Sequence, residues 1–124
     1  MSKENLYLGK SGEDIAADFL KRNGYKIVAR NFKTGVGEID IVANHKDTVC
    51  FIEVKTRNSN RFGSGLEAVN NIKQRQISKA ALSYLKQKKL FDKSARFDVV
   101  SLVLEGSSPE INLIQNAFEL NYGL

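Results

Sequence analysis

The segment from Gly37 to Arg57 constrains the fold of this chain more than any other stretch. Two apolar runs, residues 39–43 and 49–54, are broken only by single acidic residues and flank the turn-prone tetrapeptide 44–47. Short runs rich in Ile and Val and bounded by turn residues are typical of buried β-strands. The segment therefore predicts a β-hairpin at the centre of a sheet.

Four charged side chains fall inside this apolar hairpin. We expect a loop of two or four residues, with three cross-strand pairs: Ala43 with Thr48, Asp40 with Phe51, and Glu38 with Glu53. The charged residues then share one face of the sheet: Glu38, Asp40, Glu53 and Lys55. Three carboxylates and one ammonium on a half-buried face are destabilising unless something offsets their charge. A divalent cation would do so, and oxygen ligands suit Mg²⁺ or Mn²⁺ rather than zinc.

An ion pair is an alternative account of the same charges. In that account Lys55 pairs with Glu53 across the i, i+2 step of one strand, while Glu38 and Asp40 lie at a solvated strand end. Strand ends often carry charge, so charge alone leaves both accounts open.

The spacing of these residues resembles a known nuclease motif. Asp40, then twelve residues, then Glu53-Val54-Lys55 resembles the D…ExK signature of the PD-(D/E)xK nuclease superfamily, with Ile39 in place of the proline. The wider context contains, in order, the segments GEIDIVA, FIEVKTR, FG and AV, a helix containing KQR and a late RFDVV. This order of segments resembles the YraN family of small predicted endonucleases. That resemblance runs from about Gly12 to Val100. The order of Glu, Asp and ExK is also similar to that of archaeal Holliday-junction resolvases.

The resemblance implies a restriction-endonuclease-like fold and a metal-dependent endonuclease that acts on nucleic acid, DNA in particular. It implies that Asp40 and Glu53 ligate Mg²⁺ (or Mn²⁺) with the Val54 carbonyl, and that Lys55 activates water or stabilises developing charge. The resolvase-like layout adds Glu13 as a ligand of the metal or of water. On position alone, Glu13 complements the dipole of the first helical turn. A non-catalytic nucleic-acid-binding module with the same fold is the alternative function.

The distribution of basic residues favours a polyanionic partner. The chain has 19 Lys and Arg against 14 Asp and Glu, a net charge of +5. All nineteen cations precede residue 105, against eleven acids, a balance of +8. Such an excess beside an acidic site fits nucleic acid held around a metal. Candidate contacts lie in the polar loop 56–65 and at the start of a helix: Arg57, Arg61, Lys73, Gln74 and Arg75.

The order of elements predicts one α/β (α+β) domain spanning residues 1–124. A first helix begins at the N-cap Ser11 and ends at Asn23-Gly24. The strands are expected at residues 25–32, at the hairpin, at 95–104 and at 110–117, the last one at an edge. Apolar residues at helical spacing place the long helix before the fourth strand: Val69, Ile72, Ile77, Ala80, Ala81, Tyr84 and Leu85. The result is a mixed sheet flanked by helices.

Other features bear on location. Cys50 has no partner for an internal disulfide, so we expect it to pack in the core of a protein in a reducing compartment. The N-terminus lacks an apolar signal region, and no run approaches the ~20 apolar residues of a membrane span. We therefore expect a cytoplasmic protein without a membrane partner. The sequence leaves the oligomeric state open, a homodimer included.

Overall fold

A computed structural model describes residues 11–57, 70–104 and 108–120. Its elements follow the expected order, and they are α1 (Gly12–Arg22), β1 (Tyr25–Lys33), β2 (Glu38–His45), β3 (Thr48–Arg57), α2 (Asn71–Lys88), β4 (Ser94–Val103) and β5 (Glu110–Phe118). The mixed α/β class and the order α-β-β-β-α-β-β are confirmed. The predicted loop beyond Arg57, with Arg61, and the helical position Val69 lie outside the described residues.

The first helix begins and ends where its sequence predicts. The Ser11 hydroxyl accepts a hydrogen bond from the Asp14 N–H at 3.1 Å, which satisfies one of the unpaired donors of the first turn. At the other end, Asn23 caps the helix and Gly24 takes a positive φ of 87°, a conformation that glycine adopts without steric cost. These caps direct the chain straight into β1.

The five strands form a single sheet in the order β1-β2-β3-β4-β5. Neighbouring strands are antiparallel except β3 and β4, which run parallel and therefore need a crossover that contains α2. The strand β5 lies at an edge, as expected. Because β3 is flanked on both sides, the hairpin of β2 and β3 occupies the centre of the sheet.

The predicted register of this hairpin is wrong by two residues. Ala43 pairs with Cys50 rather than with Thr48, and Val42, not Asp40, lies opposite Phe51. The turn closes over two residues because Lys46 adopts the left-handed conformation, with φ 56°, so that the strand continues to His45. A shift of two residues leaves every side chain on its original face, since the side-chain period of a strand is two. The expected shared face thus survives the register error.

Each helix covers one face of the sheet with its own apolar cluster. The cluster between α2 and the sheet includes Phe51, Tyr84, Leu85 and Phe97, and the cluster between α1 and the sheet includes Leu20, Ile41, Ile52 and Leu102. Full burial of one such side chain contributes about 1.5 to 3 kcal/mol, so both faces are strongly anchored. Cys50 is buried in the α1 cluster as a free thiol, and burial raises its pKa to about 12. Neither described helix is long and apolar enough to cross a membrane.

Candidate functional site

A cleft of about 510 Å³ opens between the start of α2, the central hairpin and the turn that joins β1 to β2. Its walls carry two of the predicted metal ligands, Asp40 and Glu53, together with the predicted nucleic-acid contact Lys73. Lys33, Glu38 and Gln76 also line it. The cleft therefore collects opposite charges from elements that are distant in sequence.

The turn of residues 34–37 forms a rigid wall of the cleft. The Thr34 hydroxyl accepts hydrogen bonds from the N–H groups of Val36 and Gly37, each at 3.1 Å, and the Thr34 N–H donates to the Gly37 carbonyl at 2.8 Å. Gly37 also lies directly against Gln76 of α2, so that a Cβ atom there would collide with the Gln76 carbonyl oxygen. Glycine is required here by close approach of two backbones, and the contact fixes the turn against the helix.

Two carboxylates meet at the floor of the cleft. Glu53 is only 4% exposed, although it carries a full charge when ionised. Asp40 is partly buried, and its Oδ2 accepts a hydrogen bond from the Val54 N–H at 2.9 Å. Burial first and the neighbouring Glu53 charge second raise the pKa of Asp40 to about 7, against the opposing effect of the Val54 hydrogen bond. A positive charge beside Asp40 would therefore be favourable.

Two lysines supply positive charge to the Glu53 carboxylate. The Nζ atoms of Lys73 and Lys55 lie 2.8 Å and 3.4 Å from Glu53 Oε1. Asn70 caps α2 by accepting a hydrogen bond from the Lys73 N–H at 3.0 Å, which places Lys73 in the first turn of the helix. Burial works against the charged form of Lys73, but the contacts with Glu53 raise the pKa of Lys73 above its ordinary value. Asp40, Glu53, Lys55 and Lys73 are called the cleft cluster below.

The donor set of the cleft cluster fits a hard divalent cation. Mg²⁺ commonly keeps several waters and is held by one or two carboxylates, and Asp40 and Glu53 meet in the cleft as such a pair. Among the residues that the structure describes, no group of three or more His, Cys, Asp or Glu side chains is arranged to hold a metal ion. Asp40 and Glu53 are the residues that would hold a cation here, and ligation by the Val54 carbonyl stays a prediction. Val54 contributes its N–H to Asp40 and pairs with Val100 in the sheet.

Glu13 has other partners in this structure. Its Oε1 accepts hydrogen bonds from Arg30 Nε at 3.0 Å and from Asn31 Nδ2 at 3.1 Å, and Arg30 also pairs with Asp14. The Glu13 charge is still close enough to be one of the minor causes that raise the pKa of Asp40. Glu13 therefore belongs to the electrostatic surroundings of the cleft, while its predicted role as a ligand stays a prediction.

Comparison with known proteins identifies the family. The model of Uncharacterised protein family UPF0102 matches residues 12–102. The chain belongs to the UPF0102 family. A UPF0102 protein of Geobacter metallireducens is 51% identical over 122 residues, covering 98% of this chain and 100% of the relative. One from Geobacter sulfurreducens is 49% identical, covering 98% and 95%, and one from Syntrophus aciditrophicus is 47% identical, covering 97% and 94%. This membership confirms the resemblance at the level of the family.

The predicted nucleic-acid contacts of this UPF0102 protein are spread over two elements. Arg57 ends β3, and its carbonyl accepts a hydrogen bond from the Leu104 N–H at 2.8 Å. Gln74 is half-buried and Arg75 exposed in the early turns of α2. The Lys73 ammonium contacts Glu53 inside the cleft, and its predicted contact with nucleic acid stays a prediction. Arg61 lies outside the described residues.

A second buried charged cluster was missed by sequence reasoning. Asp98 is fully buried, and its carboxylate accepts hydrogen bonds from the Tyr25 hydroxyl, Arg96 Nε and the Asn116 N–H. Arg96 also donates to the Tyr25 hydroxyl and contacts His45 Nδ1, both at 2.9 Å. His45 lies in β2 and stacks on the Tyr25 ring. Tyr25, Arg96 and Asp98 are called the closed cluster below.

Sequence signals were available for the position of Lys73 but not for the closed cluster. The N-cap preference for Asn predicts a helix start at Asn70 and thus a first-turn position for Lys73. The closed cluster joins Tyr25 and Asp98, which are 73 residues apart in sequence. No local pattern reports a contact of that range.

Proposed function

We propose that this UPF0102 protein is a metal-dependent phosphodiesterase that cleaves nucleic acid, DNA in particular, and that it belongs to the PD-(D/E)xK superfamily with a restriction-endonuclease-like fold. The observation that carries the proposal is the meeting of Asp40 and Glu53 in an open cleft, with Lys55 at 3.4 Å from Glu53. The motif spacing alone requires only that these residues be near in sequence. Their convergence in one cleft supports a shared chemical task.

The roles of the residues follow from their chemistry. Asp40 and Glu53 would hold Mg²⁺ or Mn²⁺, which supplies Lewis acidity and lowers the pKa of a coordinated water. Lys55 is part-buried beside Glu53, where its ammonium can orient the attacking water or stabilise charge that develops on the phosphate. Lys33 at the rim and the exposed Arg75 are suited to bind the phosphates that flank the scissile bond.

A non-catalytic nucleic-acid-binding module is the second candidate. It is favoured by the ion pairs of Glu53 with two lysines, because such pairs balance a buried carboxylate without any metal. The two candidates differ in one respect that can be measured. Both bind nucleic acid in a salt-dependent manner, but only the nuclease breaks a phosphodiester bond.

The deciding experiment is a cleavage assay. Purified protein is incubated with labelled duplex, branched and single-stranded DNA and with RNA, in Mg²⁺, Mn²⁺ or EDTA. We expect cleavage that EDTA abolishes and that Asp40→Asn, Glu53→Gln and Lys55→Met each reduce at least ~100-fold. Asp92→Asn, which neutralises an exposed carboxylate, is the matched control and should cleave normally.

Each contrary outcome has a clear meaning. Undiminished cleavage by Glu53→Gln would remove the cleft from the mechanism. Binding of DNA without cleavage of any substrate, with either metal, would select the non-catalytic module. Cleavage that persists in EDTA would contradict the metal dependence.

A further inference from the structure

The ammonium groups of two lysines contact the same oxygen atom of Glu53. Lys73 is the nearer, at 2.8 Å from Oε1, and Lys55 lies at 3.4 Å from the same atom. A divalent cation that bound Glu53 would approach this crowded position. Two cations at contact distance repel strongly in a partly desolvated site, so at least one ammonium has to yield.

The two lysines differ in how easily they can leave. Lys55 extends from β3, the central strand that also carries Glu53, and its side chain is 22% exposed. Lys73 extends from the first turn of α2, across the cleft, and its side chain is 40% exposed. A long flexible side chain that already reaches solvent can move its ammonium into the open cleft at little cost. Lys73 is therefore the group that a metal would displace.

We propose that Lys73 is the resident counter-ion of Glu53 and that a divalent cation displaces it, so that Lys73 limits how tightly the cleft cluster binds metal. This inference rests on the proposed function, because it needs the cation site of Asp40 and Glu53. In the metal-free protein Lys73 offsets the charge of a carboxylate that is 4% exposed. When metal replaces it, the released ammonium remains at the rim of the cleft, where it can bind a phosphate of the substrate.

The displacement has a consequence for how substrate and metal act on each other. A phosphate that attracts the Lys73 ammonium removes it from Glu53 and thereby favours the metal. By linkage, bound metal frees Lys73 for the phosphate. Nucleic acid and metal would each promote binding of the other through this single side chain.

The test is the metal affinity of charge-removing variants, measured by calorimetric titration and by melting curves without nucleic acid. We expect Lys73→Met to bind Mg²⁺ and Mn²⁺ about tenfold more tightly than the parent, the size of an ordinary coupling between charged neighbours. Lys73→Gln keeps a hydrogen-bond donor for Glu53 without the charge and should show the same direction. Lys79→Met removes an identical charge from an exposed position of α2 and should leave affinity unchanged.

A second measurement needs no substitution. NMR signals of the lysine side chains are followed in the parent during a Mg²⁺ titration, and the Lys73 signal should shift at saturation while that of Lys79 stays constant. An unmoved Lys73 signal, or equal or weaker metal binding in the Lys73 variants, overturns the displacement while the cation site stands. Absence of any metal response in parent and variants overturns both the displacement and the metal-dependent function.

Discussion

Asp98 and Asp40 are both aspartates of the central sheet, and their neighbours are opposite in charge. Asp98 is fully buried and accepts hydrogen bonds from Tyr25, from the guanidinium of Arg96 and from a backbone N–H. Asp40 lines an open cleft, and the neighbour that matters most to its ionisation is another carboxylate, Glu53. The Asp98 carboxylate is surrounded by partners that stabilise its charge, whereas the Asp40 carboxylate is held where its charge is costly.

The two clusters also lie on different faces of the sheet. Asp98 alternates along β4 with Phe97 and Val99, which pack beneath α2, so its side chain points towards the α1 face. The cleft cluster lies on the α2 side, where Lys73 reaches Glu53. A buried charge whose hydrogen bonds are all made supports the fold, whereas an open cleft with competing charges is suited to bind a charged ligand.

The largest effect on stability is expected from a substitution in the closed cluster. Asp98→Ala removes the carboxylate partner of a guanidinium whose side chain is only 20% exposed, and it also removes the acceptor to which the Tyr25 O–H donates. We expect a loss of about 3 to 5 kcal/mol in the free energy of unfolding, because an uncompensated buried charge remains. Denaturant unfolding measures this loss. Asp92→Ala, at an exposed position, should change stability by no more than about 0.5 kcal/mol.

A small loss in Asp98→Ala would show that the closed cluster contributes no more to stability than a surface charge does. The double variant Asp98→Ala/Arg96→Met tests whether the unpaired Arg96 charge causes the loss. If Asp98→Ala loses stability because the Arg96 charge is left without its carboxylate partner, the double variant should recover part of that stability.

The cleft cluster was largely predictable from the sequence, because its core is local. Asp40, Glu53 and Lys55 lie on two strands of one hairpin, and the period of two fixes their shared face. The wrong register did not matter, since an error of two residues preserves that face. The left-handed Lys46 that caused the error is invisible to strand patterns, because Lys has no particular preference for that conformation.

Contacts between distant segments could not be predicted in this way. The Lys73 ammonium reaches Glu53 across the cleft, and basic residues on a helix usually point to solvent. The turn at Gly37 is held by hydrogen bonds to Thr34 and by its contact with the backbone of Gln76. Tertiary packing decides such contacts, and helical or strand periodicity carries no information about them.

The next largest effect is expected at Glu53. Glu53→Gln leaves Lys55 and Lys73 without the carboxylate that offsets their charge. We expect the metal-free variant to lose about 1 to 3 kcal/mol in the free energy of unfolding, less than Asp98→Ala because both lysines reach solvent. Chemical unfolding in EDTA measures it. Adding Lys73→Met to Glu53→Gln should restore part of the loss, and a purely additive result would contradict the ion pair.

The smallest effect is expected at Asp40, and its sign is opposite. The pKa of Asp40 in the folded protein is raised from 3.8 to about 7, so the folded state holds a proton that the unfolded state has already released between these values. Stability contributed by the protonated form is therefore lost as pH rises from about 4 through about 7. Asp40→Asn keeps an acceptor for the Val54 N–H but cannot ionise. The variant should therefore melt a few degrees above the parent at pH 8 and show no such gain at pH 4.

The pH dependence distinguishes this prediction from a simple gain in packing, which would raise the melting temperature equally at both pH values. Melting curves in Mg²⁺ provide a second measurement. If Asp40 helps to hold the cation, saturating Mg²⁺ should stabilise the parent at pH 8 and remove the advantage of the variant, since the metal then offsets the charge of Asp40. A melting difference that is constant from pH 4 to pH 8 would show that ionised Asp40 is as well accommodated as Asp98, and the contrast between the two clusters would fail.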